Sequence, residues 1–210
     1  MILTDAYFPL PDVIKVRNFD LRLLRYSKAC ILPLSPLRRA MFELSQSESD
    51  LSEAIRSAWI GRARILLDSY EQVLGRSLIE RTGRDLEDAR LLYAAPFAVL
   101  SHGTQADPIL DYGNRVALTL WETTPDVLIT TASRLTAEPV LQEAREKFLA
   151  EVAGIGFVTG YSGVRISSTG RRFLIKNVTV WNLADAQGRP AGQAAAFDTW
   201  QDLASNSPVV

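Results

Sequence analysis

Ser101, His102 and Asp107 bring a hydroxyl, an imidazole and a carboxylate into one short stretch, the three groups that acyl-transfer triads combine. Their spacing defeats that chemistry. Neighbours on an extended segment point to opposite sides, so Ser101 and His102 cannot form the nucleophile–base pair, and the chain holds no second histidine. Gly154, Gly156 and Gly160 approach a dinucleotide fingerprint, but their G-x-G-x-x-x-G spacing is wrong and they follow a helical pattern where a strand is required. They read instead as a helix stop and a strand entry. Asn177-Val178-Thr179 matches a glycosylation sequon by chance within a strand pattern. One histidine and the single cysteine, Cys30, cannot build a structural zinc site, and Cys30 has no partner for an internal disulfide. Glu143, Glu146 and Lys147 read as a solvated helix face, and Asp85, Glu87 and Asp88 as acids favouring a helix start.

The elements that must position such groups are legible from periodicity. Leu51, Ile55, Trp59, Ala63, Leu66, Tyr70 and Leu74 recur at steps of three and four, predicting an amphipathic helix of about 35 Å. Ser49 or Asp50 can cap its start, and Gly75 its end. A second helix is predicted over 86–93, ended by Pro96, followed by short strands over 97–100 and 109–112. Helices over 115–121 and 136–151 come next, then three strands over 161–167, 172–182 and 192–200 separated by turn-rich segments. Strict alternation in the middle strand puts Phe173, Ile175 and Trp181 on one face and Leu174, Val178 and Val180 on the other. Both faces are apolar and both need cover, from the chain's own helices or from a partner chain.

Composition bounds the function classes. The chain has 210 residues, 47% of them apolar and 22% charged, values typical of a water-soluble domain. The longest uncharged apolar run, 91–100, falls far short of the ~20 residues that span a bilayer, so no membrane role is expected. Residues 1–40 hold seven basic and three acidic side chains, leaving an acidic excess in the remainder that disfavours nucleic-acid binding. This proline-punctuated stretch lacks the pattern of a secretory signal, and Met41 is a candidate start. The expected organisation is an extension over 1–48, a helical cap over 49–94, a domain over 95–203 and a tail over 204–210, in a cytoplasmic protein.

Five runs carry a family resemblance: LLDSYEQVLGRSLI (66–79), APFAVLSHGTQADPILDYGNRVALTLWE (95–122), SRLTAEP (133–139), GYSGVRISSTGRRF (160–173) and TVWNLADAQGRPAGQAAAFDTW (179–200). In content and order they resemble the MEKHLA domain, a PAS-related domain, in its stand-alone bacterial form. The resemblance implies an α+β fold: a PAS-like antiparallel sheet with flanking helices, here preceded by the long amphipathic helix. It also implies a non-catalytic sensory or regulatory module that binds a small molecule or a signalling protein, and a homodimer is expected. Thiol-adduct flavin chemistry is excluded because no cysteine follows Met41. Haem on His102 is not expected, since a turn histidine bonding the backbone accounts for it, while a non-covalent small molecule stays open.

The polar and aromatic residues that the elements aim inward form the candidate pocket: Asn114, Trp121, Tyr161, Arg165, Asn177, Trp181 and Gln193. Asn114 also suits a helix cap, and Trp121 and Trp181 also suit the core. Gln193 enters through the resemblance, because its equivalent in PAS-like domains can face a ligand. Arg165 is either exposed or engaged with a carboxylate or an anionic ligand, because a buried guanidinium is costly unpaired. A filled core with no ligand is the alternative, and a small enzyme acting on an acidic metabolite a more distant one. Leu51, Ile55, Trp59, Leu66 and Tyr70 are assigned to capping or homodimerisation. If they join two chains, Ile55→Glu or Leu66→Glu leaves a folded protein of halved hydrodynamic mass in size-exclusion chromatography.

Overall fold

A computed structural model describes residues 52–204; Leu51, Met41, the extension over 1–48 and positions 205–210 lie outside the described residues. Helix α1 (Glu53–Leu74) is capped by Ser52, whose hydroxyl accepts the Ile55 N–H at 3.3 Å, two residues after Asp50 and three after Ser49. It stops at Gly75, whose φ of 67° is the left-handed conformation that glycine adopts without strain. Next come α2 (Asp85–Ala94), β1 (Ala98–His102), β2 (Leu110–Gly113), α3 (Arg115–Leu120), α4 (Pro125–Leu128) and a 3-10 turn over Ser133–Thr136. Helix α5 (Pro139–Ile155) starts three residues later than periodicity suggests, because Pro139 suits a first helical turn and the preceding residues wind into the 3-10 turn. Gly156, not Gly154, ends it.

Strands β3 (Phe157–Ile166), β4 (Arg172–Ala184), β5 (Pro190–Phe197) and β6 (Thr199–Asp202) complete an antiparallel sheet ordered β2-β1-β5-β4-β3, with β6 also on β4. The expected last strand is thus two, interrupted at Asp198. The PAS-like antiparallel sheet with flanking helices is present.

Helix α1 covers the outer face of this sheet. The Tyr70 ring meets Trp181 edge-on with centroids 5.0 Å apart, Trp59 meets Tyr112 at 5.0 Å, and the Ser69 hydroxyl bonds both the N–H and the C=O of Ala184. Ile55, Trp59, Leu66 and Tyr70 are all buried within the one chain. Each such side chain contributes about 1.5–3 kcal/mol by leaving water. Charge placed at Ile55 or Leu66 therefore strikes the fold itself, and its effect no longer isolates a dimer contact.

The inner face lies under α3, α4 and α5, and here strict alternation fails. Asn177 has φ 54°, and Tyr161 pairs with Val178 while Gly163 pairs with Ile175, so β4 carries one extra residue between them. That β-bulge turns Val178 and Val180 onto the inner face with Phe173 and Ile175, and it sends Trp181 to the outer face against Tyr70. A bulge in β3 at Gly160, φ 76°, precedes it and shifts the pairing by one residue the other way. The two cancel, which restores the register from Gly163 to Ile166.

Asp85, Glu87 and Asp88 stand in the first turn of α2 as expected, and Asp88 has a further role. It is buried and accepts the Thr82 N–H at 2.6 Å, the Thr82 hydroxyl at 2.7 Å and Arg81 Nε at 3.4 Å. Burial works to raise its pKa, but the Thr82 donors and Arg81 outweigh it and hold the carboxyl below the ordinary aspartate range. The stability from a depressed carboxylate is present above the unfolded pKa of ~3.9 and is lost as pH falls through the folded value. Asp88→Asn is expected to cost about 1–3 kcal/mol at neutral pH, and to flatten the loss of stability on acidification. Urea unfolding at pH 7 and at pH 3 measures both effects.

Candidate functional site

Between the inner sheet face and α5 lies a cavity of about 60 Å³. Its walls are Leu100, Leu110, Phe148, Leu149, Ile175, Val178, Val180 and Phe197, and its polar edge comprises His102, Trp121, Thr136, Tyr161, Arg165 and Gln193. Tyr161 stacks on Phe148 of α5, with centroids 4.1 Å apart and planes within 18°. Arg165 donates from Nη1 to the Val164 carbonyl at 2.8 Å and from Nη2 to the Tyr161 hydroxyl at 3.2 Å. Gly163 lets the two meet: a Cβ there would stand 2.4 Å from the Tyr161 hydroxyl oxygen and 3.0 Å from Arg165 Nη1. Gln193 Nε2 donates to the Leu149 carbonyl at 2.9 Å and to Asn182 Oδ1 at 3.0 Å. Asn182 in turn bonds the Val152 and Ala153 carbonyls near the end of α5, so β4 and β5 jointly hold that helix over the cavity.

Trp121 packs edge-on against Phe173 at 5.0 Å, and its buried Nε1 has no hydrogen-bond partner. Its backbone is fixed by the β3–β4 turn, where Ser168 N–H donates to the Trp121 carbonyl at 3.0 Å. The adjacent Glu122 carboxylate takes the Thr169 and Ser167 hydroxyls and Arg171 Nε. Those hydroxyls, with Arg171, hold it below the ordinary glutamate range. Outside Trp121 an open cleft of about 420 Å³ shares Leu110, Trp121 and Thr136 with the cavity as lining residues.

Four of the seven predicted pocket residues therefore converge: Trp121, Tyr161, Arg165 and Gln193. Three do not. Asn177 is the exposed bulge residue of β4, and Trp181 belongs to the outer core for the same reason. Asn114 is buried and spent on backbone: its Oδ1 accepts Val99 and Ala117 N–H, and its Nδ2 donates to the Phe97 and Leu92 carbonyls. All four of its hydrogen-bonding positions are filled, which leaves nothing for a ligand. The triad candidates are likewise committed elsewhere. Ser101 donates to Asp111 at 2.6 Å, His102 Nδ1 lies 2.9 Å from the Gly103 carbonyl, and Asp107 pairs with Arg134.

Periodicity alone missed Arg62. It interrupts the apolar stripe of α1, midway between Trp59 and Leu66, and that interruption is the signal in the sequence. From the outer side its Nε bonds Ser101 Oγ at 3.1 Å and Asp111 Oδ1 at 3.0 Å. Nη2 meets Asp111 Oδ2 at 2.7 Å and the His102 carbonyl at 3.0 Å, and Nη1 meets the Ala191 carbonyl at 2.9 Å. Asp111 is the extra residue of a bulge in β2, since Ser101 pairs with Tyr112 and His102 with Leu110. Burial pushes its carboxyl above the ordinary aspartate range against the pull of Arg62 and Ser101. At Gly192, φ 110°, a Cβ would stand 1.9 Å from the His102 carbonyl oxygen, so only glycine lets β5 approach β1 here.

This PAS-like arrangement defines the class, and comparison with known proteins narrows it. The family model of the MEKHLA domain matches residues 60–202. The chain belongs to the MEKHLA domain family. It has no match among curated proteins. Among solved structures it is similar to the PAS domain of a protein from Colwellia psychrerythraea, with 15% identity over 56% of this chain and 94% of that one, TM-score 0.47. A PAS domain from a two-component sensor histidine kinase gives 16% identity over 54% of this chain and 90% of that one, TM-score 0.43. An RNA-binding Light-Oxygen-Voltage receptor gives 15% identity and TM-score 0.46; the match covers 58% of this chain and 36% of the receptor. Among the described residues, no helix is long and apolar enough to cross a membrane, and no cluster of His, Cys, Asp and Glu could hold a metal ion.

Arg62→Leu leaves the Asp111 carboxylate against the sheet without its counter-charge. Removing one partner of a buried pair costs about 3–5 kcal/mol. Because the Asp111 side chain is 33% exposed, the expected loss is about 2–3 kcal/mol. Arg62→Leu/Asp111→Asn is expected to recover part of it in a double-mutant cycle read by thermal unfolding.

Proposed function

We propose that this chain is a non-catalytic sensory module that takes a small molecule into its inner cavity and reports occupancy through α1. The observation that carries this reading is the placement of Arg62. It grips the His102 and Ala191 carbonyls from outside, while His102 itself and Gln193, two residues beyond Ala191, line the cavity from inside. A ligand that moves β1 against β5 thereby changes the acceptors that hold α1. The absence of a workable nucleophile–base pair in Ser101 and His102 favours binding over turnover. Because the family is PAS-like, the fold alone leaves the role open, and the site must carry the argument.

A second reading is a pure interaction module with a filled core, and for either reading the apolarity of both sheet faces had suggested a homodimer. Helix α1 accounts for the outer face within one chain, so that observation no longer calls for a partner. Native and denaturing mass spectra of the freshly purified full chain separate the two. A mass excess lost on denaturation, one equivalent per chain, is the expected result. A ligand-free dimer overturns the sensory reading in favour of the interaction module.

A further inference from the structure

We propose that the cavity ligand is a small monocarboxylate, its carboxylate shared between the Arg165 guanidinium and the Trp121 indole N–H; this rests on the cavity-binding reading above. Arg165 is 8% exposed. Its hydrogen bonds are to a carbonyl and a phenol, both neutral, and it forms no ion pair among the described residues. The two acids that its neighbours could have shared are already taken. Glu122 binds Arg171, Ser167 and Thr169, and Glu138 binds Arg172. Among the described residues, no aspartate or glutamate lines the cavity. A guanidinium carries five N–H donors, and taking a charge out of water is costly unless an opposite charge meets it. Among the described residues, the cavity thus holds a cation without a counter-ion.

Trp121 points to the same species. Its Nε1 donor is buried without a partner and belongs to a residue that lines the same cavity and packs on Phe173, which pairs directly with Arg165 across β3 and β4. One fixed cation with one neutral donor suits a carboxylate, which accepts at two oxygens. Among the described residues, Arg165 is the only lysine or arginine in the lining, so a second carboxylate would go unpaired there. Size and wall chemistry set the remainder. A volume of about 60 Å³ is several times the roughly 10–15 Å³ that one water needs, which allows about four to six non-hydrogen atoms. Phe148, Leu149, Val178 and Val180 offer that body an apolar wall.

Isobutyrate and its neutral isostere isobutyramide test the assignment at constant ionic strength. The ¹H–¹⁵N spectrum of the full chain carries one indole signal for each of four tryptophans, and Trp121→Phe identifies the Trp121 signal by its loss. The expected result is a saturable shift of that signal with isobutyrate, at least tenfold weaker binding of isobutyramide, and at least tenfold weaker isobutyrate binding in Arg165→Gln. Where Arg165→Gln does not fold, the contrast between the two probes on the native chain decides. Equal binding of the amide overturns the charge assignment while leaving a ligand-binding cavity. An equal shift with chloride overturns the carboxylate. A signal unmoved by either probe overturns the proposal, and the mass measurement then decides cavity binding on its own.

Discussion

Arg62 is the contact on which the arrangement turns. Its guanidinium reaches one side chain in β1, one in β2 and carbonyls in β1 and at the start of β5. A leucine in its place would bury more apolar surface and would leave α1 free to slide along the apolar face. Directed donors forbid that, because five N–H groups in a rigid plane match only one placement of the helix. The aromatic contacts of Trp59 and Tyr70 on either side then fall into register. Apolar burial supplies the attraction and the arginine supplies the position.

The same division of labour recurs on the inner face with backbone instead of charge. Bulges at Gly160 and Asn177 cancel in register, so they cost the ladder little beyond their own positions. What they change is which side chains face the cavity. Without the bulge at Asn177, Val178 and Val180 would turn outward and Trp181 would fill the inner space. The cavity exists because that indole is spent on the outer core. Gly163 makes the complementary contribution, since its missing side chain is the space where Tyr161 and Arg165 meet.

These are also the places where sequence reading stops working. Helix α1, the order of elements and the β-rich end follow from periodicity and turn residues, because those signals are local. Arg165, Tyr161 and Trp121 were within reach because they lie on strand or helix-end positions whose facing simple rules describe, whereas Gln193 came from the family resemblance. Asn177 and Trp181 were misplaced by one residue's phase, and no local signal marks a bulge at an asparagine inside an apolar run. Asp88 shows the other limit: its place at a helix start was legible, but its burial required the preceding loop to fold back and give it Thr82. Arg62 was visible as a flaw in an apolar stripe, but its meaning required knowing which carbonyls it would find.

Charge bookkeeping in the fold separates structure from function most sharply. Among the described residues, Arg62, Arg81, Arg171 and Arg172 each meet a carboxylate supplied by the chain. Arg165 lies close in sequence to the last two, is more deeply buried than most of the chain, and meets none. A charge kept out of water purely for stability would be better replaced by an apolar residue of similar volume. Neighbouring residues show that acids can be supplied in this part of the fold, and the donor beside Arg165, Trp121 Nε1, is also left open. An arginine that meets no carboxylate and an indole donor without a partner, both in residues lining an apolar cavity with no acid among its described lining residues, are what the proposed anion would satisfy.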